Sequence, residues 1–522
     1  MAQVQVPKWS VHELNLTATE RSSGLYTDPN VGVIATFKGP GEITQRVDGF
    51  WDSGRSFKVR FTPTVEGVWT YVTTSSDTGL NGKFGKFNCV APLKGSRGFL
   101  RIDAKYPSSF VWDDGTRYFM WGQTYYDVLQ PALVNDNWKT SIENSLNYGM
   151  NKLRMHVYAQ GYYRPNVEFS KYPDAQPYLN ASKGPDRDQL NIPYWRKLDE
   201  MIQYMSAKGM VADLIITNPY VDNRQFGTDQ QNDRFVQYVV SRYGAYTNVI
   251  WCVANEWPNS VLYRGAYKQD KADFDRMGSL VRRHDPWIAD GAFLRPLSIH
   301  NDSIGFEFFG STWATYAIIQ YGAGNPDYTN GDQWGNAGIV QNLGHSMPVA
   351  DDEYGYMGEI YPTPPTIRVN MTRTRLRGAI WGIVTAGGYG SAGDFRITPN
   401  GMGNAEITGD WNDAPEEYGD LKRTIDFFTT KHIKYWTMSS QNGLLTAGVR
   451  TYVLAEVGRQ YVIYAAVGGA FSLNLAGGTY TASRFDPVDG EEKDLGIITG
   501  GAERTFSLPT DHDYVLYMMR NR

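Results

Sequence analysis

Between about residue 97 and residue 435, short apolar runs alternate with segments of helical period, and few folds accept that pattern. Within residues 192–208, Ile192, Trp195, Leu198, Ile202 and Met205 recur every three or four positions, so one helix face is apolar. Gly209 then stops the helix, and residues 210–216 read as a fully buried strand. A second helix over 229–243 leads into a second buried strand at 249–254. Repeated helix-then-strand succession implies parallel strands joined by right-handed crossovers. Eight apolar runs are candidate strands: 118–122, 152–157, 211–216, 249–254, 297–299, 310–313, 348–350 and 379–385. Eight strands over roughly 300 residues fit a (β/α)8 barrel better than a doubly wound sheet. No Gly-rich phosphate fingerprint follows the first strand, which also argues against a nucleotide-binding sheet.

The flanks have a different texture. Residues 31–37, 56–61 and 68–73 alternate or are β-branched, with turn clusters at 38–41 and 75–79 between them. Strands return at 450–455, 461–466, 471–475 and 514–518, punctuated by paired glycines at 468–469, 477–478 and 500–501. A chain of 522 residues exceeds what one core organises. The expected fold class is multidomain, a central (β/α)8 TIM barrel flanked by two small all-β sandwich domains. The expected divisions are 1–96, 97–437 and 438–522.

A net charge of −5 supplies no basic footprint, so neither nucleic acid nor an anionic membrane surface is an expected partner. No run approaches the roughly 18 apolar residues of a membrane span. Aromatic residues make up 14% of the chain, which suits β-rich cores and also the apolar faces of sugar rings. Cys89 and Cys252 lie in unlike surroundings and read as two buried thiols. The N-terminus has no charged segment followed by an apolar one. That fits a cytoplasmic protein, or a secreted or periplasmic one whose signal peptide has been removed. The sequence carries no sign of oligomeric state.

Catalytic groups of a barrel sit where its strands end at the C-terminal face. Strand four is followed by Asn255, Glu256 and Trp257, and strand seven by Asp351, Asp352, Glu353 and Tyr354. Two carboxylates at the mouths of opposite strands can flank one glycosidic bond, and a retaining mechanism needs them about 5–5.5 Å apart. Either glutamate alone is a weak signal. A glutamate after a strand also serves as a helix cap, and Asp351 and Asp352 compete with Glu353. The pair in register with two strands of one barrel is far more specific. Arg154 and His156 lie on strand two, Asn218 follows strand three, His300 follows strand five and Trp313 ends strand six. An arginine beside a nucleophilic carboxylate would hold it ionised and oriented. The Asn255 amide suits a ring hydroxyl next to the anomeric carbon, and His300 suits orienting Glu353 or contacting substrate. His156 reads more simply as a hydrogen-bonded barrel histidine. With no close-spaced ligand motif, neither metal nor other cofactor is expected. Trp121, Tyr125, Tyr126, Tyr220, Trp257 and Trp381 stand at or just beyond strand ends as sugar-stacking candidates, although each taken singly reads as packing.

These motifs, with others in the flanks, resemble a known family. Residues 47–52, 59–63 and 67–71 are similar to an amino-terminal sandwich that precedes apiosidase-like glycoside hydrolases. Residues 110–122, 251–257, 297–300 and 352–354 resemble their clan A-like catalytic barrel, and 484–490 with 513–516 the sandwich that often follows. The insert 289–294 before strand five departs from that pattern. The resemblance implies a retaining hydrolase with Glu256 as acid/base and Glu353 as nucleophile. It implies an oligo- or polysaccharide substrate of plant or microbial origin, or its side-chain sugars, apiose among them. Two rival readings stay open, a non-catalytic carbohydrate-binding protein and a transglycosylase using the same covalent intermediate. A uronic-acid lyase is weaker, because no basic cluster for the substrate carboxylate is evident.

Overall fold

The computed structural model describes residues 4–19, 24–28, 31–126, 128–133, 136–158, 176–181, 184–219, 226–262, 266–290, 293–320, 331–357, 372–394, 415–431 and 433–521. Eight parallel strands form the centre: β1 (Trp121–Thr124), β2 (Lys152–His156), β3 (Val211–Thr217), β4 (Val249–Ala254), β5 (Leu297–Ser298), β6 (Ala317–Ile319), β7 (Val349–Asp351) and β8 (Tyr389–Asp394). Their hydrogen-bonded order is β5-β4-β3-β2-β1-β8-β7-β6. A single parallel bridge between His300 and Ile318 joins the two ends and closes the barrel.

The long helices are α1 (Asn137–Asn147), α2 (Ile192–Lys208), α3 (Asp229–Tyr243), α4 (Lys271–His284), α5 (Gly331–Gln341), α6 (Arg373–Thr385) and α7 (Pro415–Thr430). Local chemistry sets their ends. Thr228 and Gln231 form a capping box at the start of α3, and Gly209, at φ 78°, closes α2 in the left-handed region. Between β5 and β6 the described residues contain no α-helix. Trp313 fills that space instead, against α4 at Gly278, where a Cβ would stand 2.3 Å from the indole.

The run 310–313 is therefore not strand six, which lies at Ala317–Ile319, and the run 379–385 is not strand eight. The latter is the buried face of α6, begun by Thr372, whose hydroxyl accepts from the Arg375 amide. A short apolar run has no period of its own, so helix and strand look alike in it.

Both flanks are two-sheet β structures. At the N-terminal end a five-stranded sheet and a three-stranded sheet enclose Phe37 stacked on Phe61, with Trp69 and Phe87. Barrel residues Ala245 and Trp287 are part of the same core. Arg60 of the flank and Arg242 of α3 each grip the Asp199 carboxylate with paired hydrogen bonds of 2.7–3.1 Å. At the C-terminal end a six-stranded sheet packs on α6, and a three-stranded sheet shares a core with its other residues. Arg377 of α6 donates to Asp513 of that flank and to Asp420 of α7. Cys89 and Cys252 are buried free thiols. No described helix is long and apolar enough to cross a membrane.

Candidate active site

Strand alternation decides which side chains enter the barrel. On β2, Lys152, Arg154 and His156 point inward, and Asp213 of β3 lies opposite Arg154 in register. All four are buried. Gly122 of β1 makes room for Lys152, because a Cβ there would stand 2.7 Å from the lysine Cε. The Lys152 ammonium lies 2.7 Å from Asp352 and 3.6 Å from Asp213, and the Ser391 hydroxyl donates to Asp352 at 2.8 Å. The floor of the site is thus a buried array of two cations and two aspartates, with Glu353 above it.

Arg154 connects this floor to both candidate catalytic segments. It donates to the Asn255 side-chain oxygen at 2.9 Å, to the Asp352 carbonyl at 3.1 Å and to the Thr124 hydroxyl at 3.3 Å. Its guanidinium also lies 3.5 Å from Glu353 Oε1. One planar cation therefore holds the residue before Glu256 and the carboxylate of Glu353 together. The bond to Asn255 Oδ1 fixes that amide, whose NH2 donates to the Tyr126 hydroxyl at 3.3 Å. Tyr126 in turn stacks on His156, with centroids 4.7 Å apart, and His156 Nε2 lies 3.0 Å from the Asn218 amide.

Glu256 has φ +41°, a left-handed conformation uncommon for a residue with a side chain, and such outliers concentrate at functional sites. Its backbone N–H donates to His300 Nδ1 at 3.4 Å, its carboxylate accepts from Asn259 at 3.3 Å, and the next amide donates to the His300 carbonyl. His300 Nδ1 also lies 3.8 Å from Glu353 Oε1. Burial pushes the His300 pKa well below 6.5, and Arg154 and Lys152 add to that. The ring is neutral, and an Nδ1 that accepts from the Glu256 amide cannot also donate to Glu353. His300 therefore acts as a neutral spacer in contact with both segments.

The two floor aspartates are driven apart. Burial raises both, but at Asp352 the combined pull of Lys152, Arg154 and the Ser391 hydroxyl outweighs it, and the carboxyl is held low. At Asp213 burial outweighs Lys152, and the charge on Asp352 adds to it, so the carboxyl is pushed up to about 6.

Of the residues expected from sequence, Glu256, Glu353, Arg154, His156, Asn218, Asn255 and His300 converge at the C-terminal mouth. The aromatic platforms mostly do not. Trp121 opens β1 at the opposite end and is fully buried against Tyr354. Tyr125 is buried just beyond β1, while its neighbour Tyr126 reaches the site. Trp257 turns outward into Phe274 and Phe308, with its indole N–H on Asn301. Trp313 bonds Asp275 of α4 at 2.7 Å in the helical layer. Trp381 packs between the barrel and the C-terminal flank, against Phe427, Phe428, Tyr464 and Phe485. Tyr220 lies outside the described residues. Sequence reading missed Lys152, Asp213 and Ser391. A usable signal was present, since charges two apart inside an apolar strand mark a barrel interior.

Closed barrel, β flanks and two glutamate-bearing strand ends tied by one arginine are the frame of a glycoside-hydrolase-type TIM barrel. The family model described as "Apiosidase-like, catalytic domain" matches residues 107–419, and the chain belongs to that family. Residues 5–76 match a domain of unknown function, DUF5060. A candidate glycoside hydrolase from Bacteroides vulgatus ATCC 8482 is similar with TM-score 0.81 and 20% identity, covering 99% of this chain and 100% of that one. A glycoside hydrolase family 5 structure from the same organism has TM-score 0.60 and 14% identity, covering 81% and 94%. At these identities the likeness is one of fold. No curated protein sequence matches the chain.

Proposed function

We propose that the protein is a retaining glycoside hydrolase, with Glu353 as nucleophile and Glu256 as acid/base. The observation that carries the reading is Arg154, which touches Glu353 at 3.5 Å and Asn255 at 2.9 Å, binding the two carboxylate-bearing segments into one site. A Glu353 oxygen attacks the anomeric carbon as the glycosidic bond breaks, and the leaving oxygen takes the Glu256 proton. Glu256 then takes a proton from water, whose oxygen displaces Glu353 and releases the sugar. Arg154 keeps Glu353 anionic and aimed. The Asn255 side chain, held by Arg154 at 2.9 Å and Tyr126 at 3.3 Å, is positioned beside Glu256 to meet a hydroxyl next to the reacting carbon. The family's description makes apiose-bearing side chains the first substrates to try.

The test is sugar release from a panel of polysaccharides and aryl glycosides by wild type and Glu353→Gln in parallel. Release by wild type, falling about 10³-fold or more in the variant, is the expected result. A variant of wild-type activity would sink the assignment.

A further inference from the structure

A cavity beside the N-terminal flank has no part in the chemistry above. It measures about 280 Å³, close to the small end of small-molecule sites, and lies where the flank meets α3. Its two walls differ in kind. The flank contributes Trp51 and Tyr26, both half-buried, with ring centroids 6.2 Å apart at 37°. The rings are fixed from behind. The Trp51 indole N–H donates to the Gly54 carbonyl at 2.9 Å, and Tyr26 meets Tyr238 edge-on at 5.5 Å. Tyr238 in turn donates to the Trp51 carbonyl at 3.1 Å, anchoring the flank's aromatic wall to α3.

The opposite wall is polar. Asp233, Arg234 and Gln237 stand three, four and seven residues after Gln230, so α3 presents them along one face. The two charged members already have ion-pair partners, Asp233 in Arg276 and Arg234 in Asp188, while the two glutamines are exposed. Arg234 lies over the Tyr26 ring, 4.9 Å from its centroid, so the platform is the Trp51 indole. A fixed indole opposite uncharged amide groups matches the two aspects of a sugar, apolar C–H faces and hydroxyl edges. Neutralised charges disfavour a uronate or phosphate ligand.

We propose that this cavity is an accessory binding site for a short stretch of neutral glycan, separate from the barrel mouth. The inference takes from the proposed function only that the protein meets carbohydrate. It does not depend on which glutamate does what.

The experiment is native gel electrophoresis of the full chain through gels containing galactomannan, arabinoxylan or a pectic polyuronate. Wild type, Glu353→Gln, Trp51→Ala, and Gln230→Ala/Gln237→Ala are compared, with turnover of a small aryl glycoside measured beside them. The expected result is equal retardation of wild type and Glu353→Gln by a neutral polymer. Trp51→Ala and the double glutamine variant should bind at least tenfold more weakly, with aryl glycoside turnover unchanged. Inactive Glu353→Gln that still binds separates this inference from the catalytic one. Retardation of all variants alike, or of none by any polymer, overturns it. So does retardation by the polyuronate alone. Loss in Trp51→Ala with the exposed glutamine variant unaffected overturns it too, because that marks a packing defect rather than a lost ligand contact.

Discussion

Asp213 offers a quantitative test of the barrel floor. Its carboxyl is fully buried and pushed from its ordinary 3.8 up to about 6. In the window between those values the folded protein holds a proton that the unfolded chain has released. Unfolding there gives up a proton, so this group weakens the fold as pH rises from about 4 to about 6. At about 1.4 kcal/mol for each pH unit the rise corresponds to about 3 kcal/mol. His300 works in the opposite sense. Its depressed pKa means that the unfolded chain binds a proton the folded ring refuses below 6.5, so its contribution falls as pH falls.

The two effects overlap, and the raw pH profile of wild type does not separate them. The difference between Asp213→Asn and wild type does. Asparagine resembles the protonated acid, so the two proteins should be closely matched near pH 4. The variant should gain about 3 kcal/mol over wild type by pH 7. If residues 107–419 melt as one unit at about 2.1 cal/mol/K per residue, the gain amounts to about 4–5 °C in Tm. Denaturant and thermal melts of both proteins at half-unit steps from pH 4 to 7 measure it. A difference that stays flat across that window would refute the reasoning, because Lys152 and Arg154 would then be holding Asp213 ionised throughout.

Three further outcomes are expected. Glu256→Ala should lower turnover of substrates with poor leaving groups by about 10²–10⁴-fold, and added azide should restore activity on activated aryl glycosides; no azide response would count against Glu256 as acid/base. Arg377→Met leaves Asp513 buried without its cation, while Asp420 keeps Arg373 and Arg423, so it should cost about 3 kcal/mol and expose the C-terminal flank to limited proteolysis; resistance equal to wild type would show that docking rests on apolar contact alone. Gly278→Ala places a methyl 2.3 Å from the Trp313 ring, which should cost about 1–3 kcal/mol by overpacking; an unchanged melting midpoint would mean that Trp313 can move aside.

What could be read from the chain alone was whatever local periodicity and punctuation determine. The run 249–254 is apolar, of strand length and followed at once by Asn255 and Glu256, so strand four and its catalytic candidate were both legible. Alternation in the flanks announced β structure there for the same reason. The eight-strand count survived although two strands were misplaced, because the true β6 and β8 lie a few residues beyond the runs mistaken for them. Residues 379–385 look identical as a buried helix face or a buried strand until a partner is in place. The direction in which a side chain points is a tertiary property. Trp121, Trp257, Trp313 and Trp381 all stand near expected strand ends, yet packing turned each of them away from the mouth. Lys152 and Asp213 look like surface charges in a one-dimensional reading. Only barrel closure puts them in a dry interior, where desolvation and mutual attraction divide the protons between the two aspartates. The separate glutamates and Arg154 were legible as residue types on or after strands, while the contacts by which Arg154 joins Glu353 to Asn255 were decided only when β2, β4 and β7 came together around it.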